Sequence, residues 1–275
     1  MAQLHESQTI SSLLYKSETW TLNGQDKKFI DKVELYAWKK MIGLPQTTPT
    51  AGIVYTTGSL FASIRVEIRQ LVYLQKVLQR QDDHWTKVTL KILSDKNLGW
   101  AKQINQVLEK WGLETDWKVI GRKNIGGWKT EVKKAAEWRN LERLKEECQS
   151  KNRGETKQKT KTTSLETTLN SGTYERAPHP FIAKNQTIIF TRALIMGRYG
   201  MLQCANNFST KFGSKQCKQC NVIDDETHRM NNCPKWECIN LINSQDKVEF
   251  TDIYSDNFEM CHKVVKQIVS TVKTK

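Results

Sequence analysis

The sequence predicts a mainly α fold: a helical region, a flexible basic linker, and a small C-terminal unit that ends in a helix. Three features predict it. Apolar side chains recur at three- and four-residue spacing along several long segments, the mark of helices with one buried face. Those segments stop at Gly, Pro or Asn. Only 38% of the 275 residues are apolar, yet nine Trp, eight Phe and seven Tyr supply enough large side chains for a core.

In chain order, residues 13–22 are rich in β-formers and predict a short strand, ended by Asn23 and Gly24. A helix is expected from about Asp26 to Ile42. Its mostly apolar stripe is Phe29, Val33, Tyr36 and Lys40 with Ala37 and Met41, and Gly43 and Pro45 stop it. Ser59 is expected to cap the next helix, where Leu60, Ile64, Ile68, Leu71 and Leu78 share a face. Short helices follow from Asp83 to Lys118, broken at Asp95-Lys96-Asn97 and at Gly112. Trp100, Trp111, Trp117, Trp128 and Trp138 are read as core anchors between helices. One long charged helix covers Trp128 to Gln149. The polar, low-complexity stretch 150–182 reads as a flexible linker, which divides the chain into 1–149, 150–182 and 183–275. In the last part, a helix from about Asn185 to Met201 carries Ile189, Arg192, Ala193, Met196 and Tyr199 at helical spacing. The final helix, Phe258 to Lys273, shows a stripe of Phe258, Cys261, Val265, Ile268 and Val272.

No apolar run approaches the roughly 20 residues of a membrane-spanning helix, and the N-terminus lacks the features of a signal peptide. An intracellular, reducing setting, nuclear or cytoplasmic, is therefore expected. The seven cysteines should then be tested as metal ligands before disulfides. The net charge of +14 is localised. Residues 118–161 carry fourteen basic and six acidic side chains, and residues 183–218 carry six basic and none acidic. Concentrated positive charge suits a polyphosphate partner, because each neutralised phosphate releases condensed counterions. For 118–161 a solvated helix face, with Glu142, Glu146 and Glu147 pairing to Arg139, Arg143 and Lys145, fits equally well.

One constellation carries chemistry. Cys217, Cys220, His228 and Cys233 form a Cys-x2-Cys-x7-His-x4-Cys set. Two cysteines two residues apart can face one ion from a tight turn, while the histidine and third cysteine complete a tetrahedron. Thiolates and imidazole suit Zn²⁺, and four protein ligands leave no open vertex, so the expected zinc is structural. Cys148, Cys204 and Cys261 and the other histidines show no such spacing and are read as structural, while Cys238, five residues past Cys233, is read as a spare thiol or a core residue.

Four segments carry a resemblance. They are Leu13-Leu14-Tyr15-Lys16-Ser17-Glu18-Thr19-Trp20-Thr21; Lys39-Lys40-Met41-Ile42-Gly43-Leu44; the helix with Arg69-Gln70-Leu71-Val72-Tyr73-Leu74; and Cys217, Cys220, Glu226-Thr227-His228 and Cys233-Pro234. In this order they resemble the C-terminal part of the reverse transcriptase polyprotein of non-LTR (LINE-type) retrotransposons. Lys16 stands where that family has glycine, and His228 directly follows Thr227 where the family spaces them apart. The resemblance implies a thumb-like and connecting region followed by a CCHC zinc knuckle that grips RNA or DNA.

No catalytic residue is expected. Polymerisation needs a carboxylate pair on a hairpin to hold two Mg²⁺ ions. Of the adjacent pairs, Asp82-Asp83 follows a helix and Asp224-Asp225 lies inside the metal loop. The expected function is nucleic-acid binding by the C-terminal fragment of such a reverse transcriptase. Arg192, Arg198, Lys211, Lys215, Lys218 and Arg229 would contact phosphates, and Phe208, Phe212 or Trp236 would either stack on bases or pack the small unit. The alternatives are a zinc-knuckle protein-interaction module, a piece that works with a palm supplied elsewhere, or a decayed copy.

Overall fold

A computed structural model describes residues 5–152, 169, 188–198, 213–224, 228 and 258–273. These residues are mainly helical, with no strand among them beyond one isolated antiparallel bridge. The chain divides into two compact units, the first made of residues 2–36 and 60–146 and the second of residues 37–59 and 147–275 with Met1. This division differs from the expected linear one, because residues 37–59 group with the C-terminal part. Within the expected linker, the long helix runs on to Asn152 and Leu169 is fully buried. The rest of 150–182 lies outside the described residues.

In the first unit, helical turns at His5–Ile10, Ser11–Leu13 and Ser17–Thr19 precede α1 (Gly24–Ile42). The predicted strand over 13–22 is therefore not formed. Its backbone groups find side chains instead of a neighbouring strand. The Trp20 carbonyl accepts from Gln70 Nε2 (2.7 Å), the Glu18 carbonyl from Trp100 Nε1 (2.9 Å), and the Leu14 carbonyl from Arg69. The Leu22 amide donates to Gln103 Oε1 (2.8 Å).

The centre of this unit is α3 (Ala62–Leu78), which follows α2 (Thr50–Thr57). The Ser17–Thr19 turn, α4 (Trp85–Asp95), α5 (Gly99–Lys110) and α6 (Trp117–Arg122) all pack on it. It is buried around most of its circumference, through Ala62, Ile64, Val66, Leu71, Leu74 and Val77 and the polar Ser63, Glu67, Gln70 and Gln75. Each fully buried Leu or Ile contributes about 1.5–3 kcal/mol relative to exposure. The helix breaks fall where expected, with Asn97 and Gly112 in the left-handed region (φ 48° and 63°). Ser59 does not cap α3: Phe61 is the N-cap, and the Ser59 hydroxyl meets the Thr57 hydroxyl at 2.9 Å.

The long helix α7 (Ile125–Asn152) buries every fourth residue, Trp128, Val132, Ala136, Asn140, Leu144 and Cys148. Trp128 Nε1 donates to the Leu71 carbonyl at 3.0 Å. Trp138 falls between Ala136 and Asn140 on the opposite side and is 54% exposed, so it is not the core anchor expected. Trp111 is buried, and Trp100 and Trp117 are partly buried.

The contact of α1 with α3 also differs from expectation. Lys27 pairs with Glu67 at 2.6 Å, and Glu34 lies 3.8 Å from Arg65. Asp31, 2% exposed, accepts from the Ser63 amide (2.8 Å), the Ser63 hydroxyl (3.0 Å) and Arg143 Nη2 (2.6 Å). This polar seam, together with Ile30, turns the expected apolar stripe outward: Phe29 is 67% and Tyr36 52% exposed. Pairing is what permits the carboxylates to be buried there.

In the second unit, α2 and α8 (Ile188–Arg198) pack together, and α8 packs on α9 (Phe258–Lys273). Ala193 and Leu194 of α8 form a core with Cys261, Val264, Val265, Ile268 and Val269 of α9. On α9 Cys261, Val265 and Ile268 of the expected stripe are buried, while the side chains of Phe258 and Val272 lie outside the described residues. On α8 the stripe is rotated, with Ile188 and Ile189 about half exposed and Thr191, Leu194 and Ile195 buried. The sequence reading missed α2, although Pro49 at its start and the left-handed Gly58 (φ 64°) after its end mark both boundaries.

Candidate metal centre

The segment 213–224 folds as a tight hairpin. Gly213 opens it at φ 72°, and the Ser214 hydroxyl accepts from the Gln216 amide (3.0 Å). The Asp224 amide donates to the Lys215 carbonyl (2.9 Å) and the Cys217 amide to the Val222 carbonyl (2.8 Å), flanking the Gln216–Ile223 bridge. At the tip, the Asn221 amide returns to the Cys217 carbonyl at 2.9 Å. That closure requires Asn221 to be left-handed (φ 58°), which Asn tolerates better than most L-residues.

The turn brings Cys217 and Cys220 together with His228. One ligand atom of each lies within 4.8 Å of the other two, so the three can hold a metal ion. Two thiolates on one tetrahedral zinc, each at about 2.3 Å, would sit about 3.8 Å apart, so the spacing suits zinc with small movement. Cys217 is 9% and His228 6% exposed, which shields the donors from competing water. Neither cysteine is in a disulfide. Cys233, the fourth expected ligand, lies outside the described residues.

The expected phosphate contacts separate. Lys215 and Lys218 are exposed on the hairpin beside the donors. Arg192 is exposed on α8 and lies against the turn at Gly43, whereas Arg198 is only 6% exposed and does not face solvent as expected. Lys211 and Arg229 lie outside the described residues, as do Phe208, Phe212 and Trp236.

The remaining candidates take structural places. Cys148 and Cys261 are fully buried, His262 stacks on Phe190 with ring centroids 5.4 Å apart, and His84 caps α4 by accepting from the Thr86 amide. Cys204 and Cys238 lie outside the described residues. Asp82 is exposed, and its carboxyl is held below the usual range by a hydrogen bond from Lys87 and by that lysine's charge. Asp224 is 4% exposed within the hairpin. What the sequence reading missed is the basic and aromatic outer face of α1, whose pattern it assigned to the core. Among the described residues no helix is long and apolar enough to cross a membrane. Comparison with protein-family models, with curated proteins and with solved structures gave no significant match.

Proposed function

We propose that this chain is a nucleic-acid-binding, C-terminal part of a non-LTR retrotransposon reverse transcriptase, built around a structural zinc ion. The carrying observation is the Cys217, Cys220 and His228 cluster with exposed Lys215 and Lys218 on the same hairpin. Zinc would cross-link the hairpin to the following segment, with Cys233 as fourth ligand. The lysines, Arg192 and the cations of the neighbouring segments, Lys211 and Arg229, would then meet phosphates. A second observation supports the resemblance. Lys16, which stands where the similar family has glycine, has φ 54°, a conformation that glycine adopts without strain.

Elemental analysis should find one zinc per chain, lost on Cys217→Ser. Binding of RNA and of duplex DNA should weaken steeply with salt. Replacing Lys215 and Lys218 by Ala should flatten the log K against log salt slope by about 1.4 for a single strand. A metal-free folded chain, or salt-independent binding, would overturn the reading.

Val222 and Ile223, 49% and 58% exposed on the same hairpin, favour a second reading in which the hairpin docks a protein. Nuclease- and salt-resistant co-purification of a partner would select it.

A further inference from the structure

The polar seam between α1 and α3 leaves a distinctive surface on the far side of α1. Lys27, Asp31 and Glu34 turn inward, so the 3.6-residue period carries Lys28, Phe29, Lys32 and Tyr36 outward. One exposed aromatic alone means little. Here Phe29 and Tyr36, 67% and 52% exposed, stand two turns apart with the partly buried Val33 between them. That places them about 10 Å apart along the axis. Beside this row run the exposed Lys28 and Lys32, one turn apart, where like charges repel. The only carboxylate within helical reach of either lysine is Asp31, and it is buried against Ser63 and Arg143.

We propose that this face of α1 docks single-stranded nucleic acid, with phosphates along Lys28 and Lys32 and bases on Phe29 and Tyr36. Charge complementarity selects the occupant: a polyanion relieves the repulsion that nothing on the helix face offsets. The adjoining rings select a strand with accessible bases, since any base offers a π-face to an aromatic side chain. A duplex hides those faces. A bilayer would receive only Phe29, Val33 and Tyr36, few apolar residues for an interfacial helix. The surface needs no metal, so it stands or falls separately from the zinc reading.

The test uses the full chain and fluorescence anisotropy with labelled oligo(U) and oligo(dT), each of about 16 nucleotides, a length that spans one small binding site. Phe29→Ala with Tyr36→Ala should raise Kd for at least one strand by about fivefold or more, the loss of one modest stacking contact. The two strands distinguish RNA from DNA. Lys28→Gln with Lys32→Gln should flatten the salt slope by about 1.4. Tyr36→Phe keeps the ring and should bind as the parent does, and far-UV circular dichroism should show every variant folded. If these α1 variants bind unchanged while Lys215→Ala with Lys218→Ala weakens binding, the inference falls and the zinc-hairpin reading survives. The reverse pattern upholds the α1 surface and rejects the hairpin contacts. No binding by the parent chain, or an effect confined to phosphatidylserine vesicles, also overturns the inference.

Discussion

Replacing Asp31 by Ala should destabilise the first unit more than any change at an exposed ion pair. Asp31 caps α3 from another helix: its Oδ1 accepts from the Ser63 amide in the first turn, and its Oδ2 binds the Ser63 hydroxyl and Arg143. Arg143 also donates to the Ser63 hydroxyl at 2.7 Å and lies 3.9 Å over the Phe61 ring. Breaking a buried ion pair costs about 3–5 kcal/mol, because the remaining charge is stranded. The Arg143 side chain is 21% exposed and can recover some water, so the lower end applies. Loss of the cap is included in a total of about 3 kcal/mol. Urea denaturation followed by far-UV circular dichroism should then show a midpoint lower by about 1.5 M, for a slope of about 2 kcal/mol per M. Asp31→Asn keeps an acceptor for the Ser63 amide and should lose less. Asp31→Leu combined with Arg143→Met should restore much of the loss, since neither charge remains. An Asp31→Ala loss under about 1 kcal/mol, the worth of a surface pair, would refute the reasoning.

Other outcomes follow from the same structure. Trp128→Ala should cost about 3–5 kcal/mol and Trp138→Ala under about 1 kcal/mol by chemical denaturation; similar losses would contradict their assigned burial. Lys16→Gly should raise stability by up to about 1 kcal/mol, because the left-handed backbone there strains a side chain. An unchanged or lower melting temperature would count against that strain. Asn221→Val should weaken zinc affinity about tenfold in competition with a chelator, from about 1–2 kcal/mol of backbone strain at the hairpin tip. Equal affinities would show that the left-handed turn is not needed to assemble the donors.

Much of the architecture was legible in the sequence because local rules govern it. The breaks at Asn97 and Gly112 are read from residues that tolerate positive φ, and both adopt it. The final helix matches because its apolar stripe packs on an apolar neighbour, α8. The metal donors were legible for a related reason. A Cys-x2-Cys turn sets its own geometry, so the spacing to His228 already suggested that the three could converge. The segment 13–22 failed because β-forming composition does not supply a strand partner. Gln70, Gln103 and Trp100, about 50 to 80 positions away in the chain, took its backbone groups instead.

The sequence by itself determined that helices form, where most of them stop, and that Cys217, Cys220 and His228 can meet a metal. Those properties come from backbone preference and short-range spacing. Only the tertiary structure decided which side of α1 is inside, because a carboxylate counts as surface until a distant partner appears. Ser63, Arg143, Glu67 and Arg65 supply those partners, so Lys27, Asp31 and Glu34 are drawn inward. Phe29 and Tyr36, which periodicity assigns to a core, are left facing water. Hydrophobic periodicity scores each side chain alone, whereas burial of charge depends on pairs.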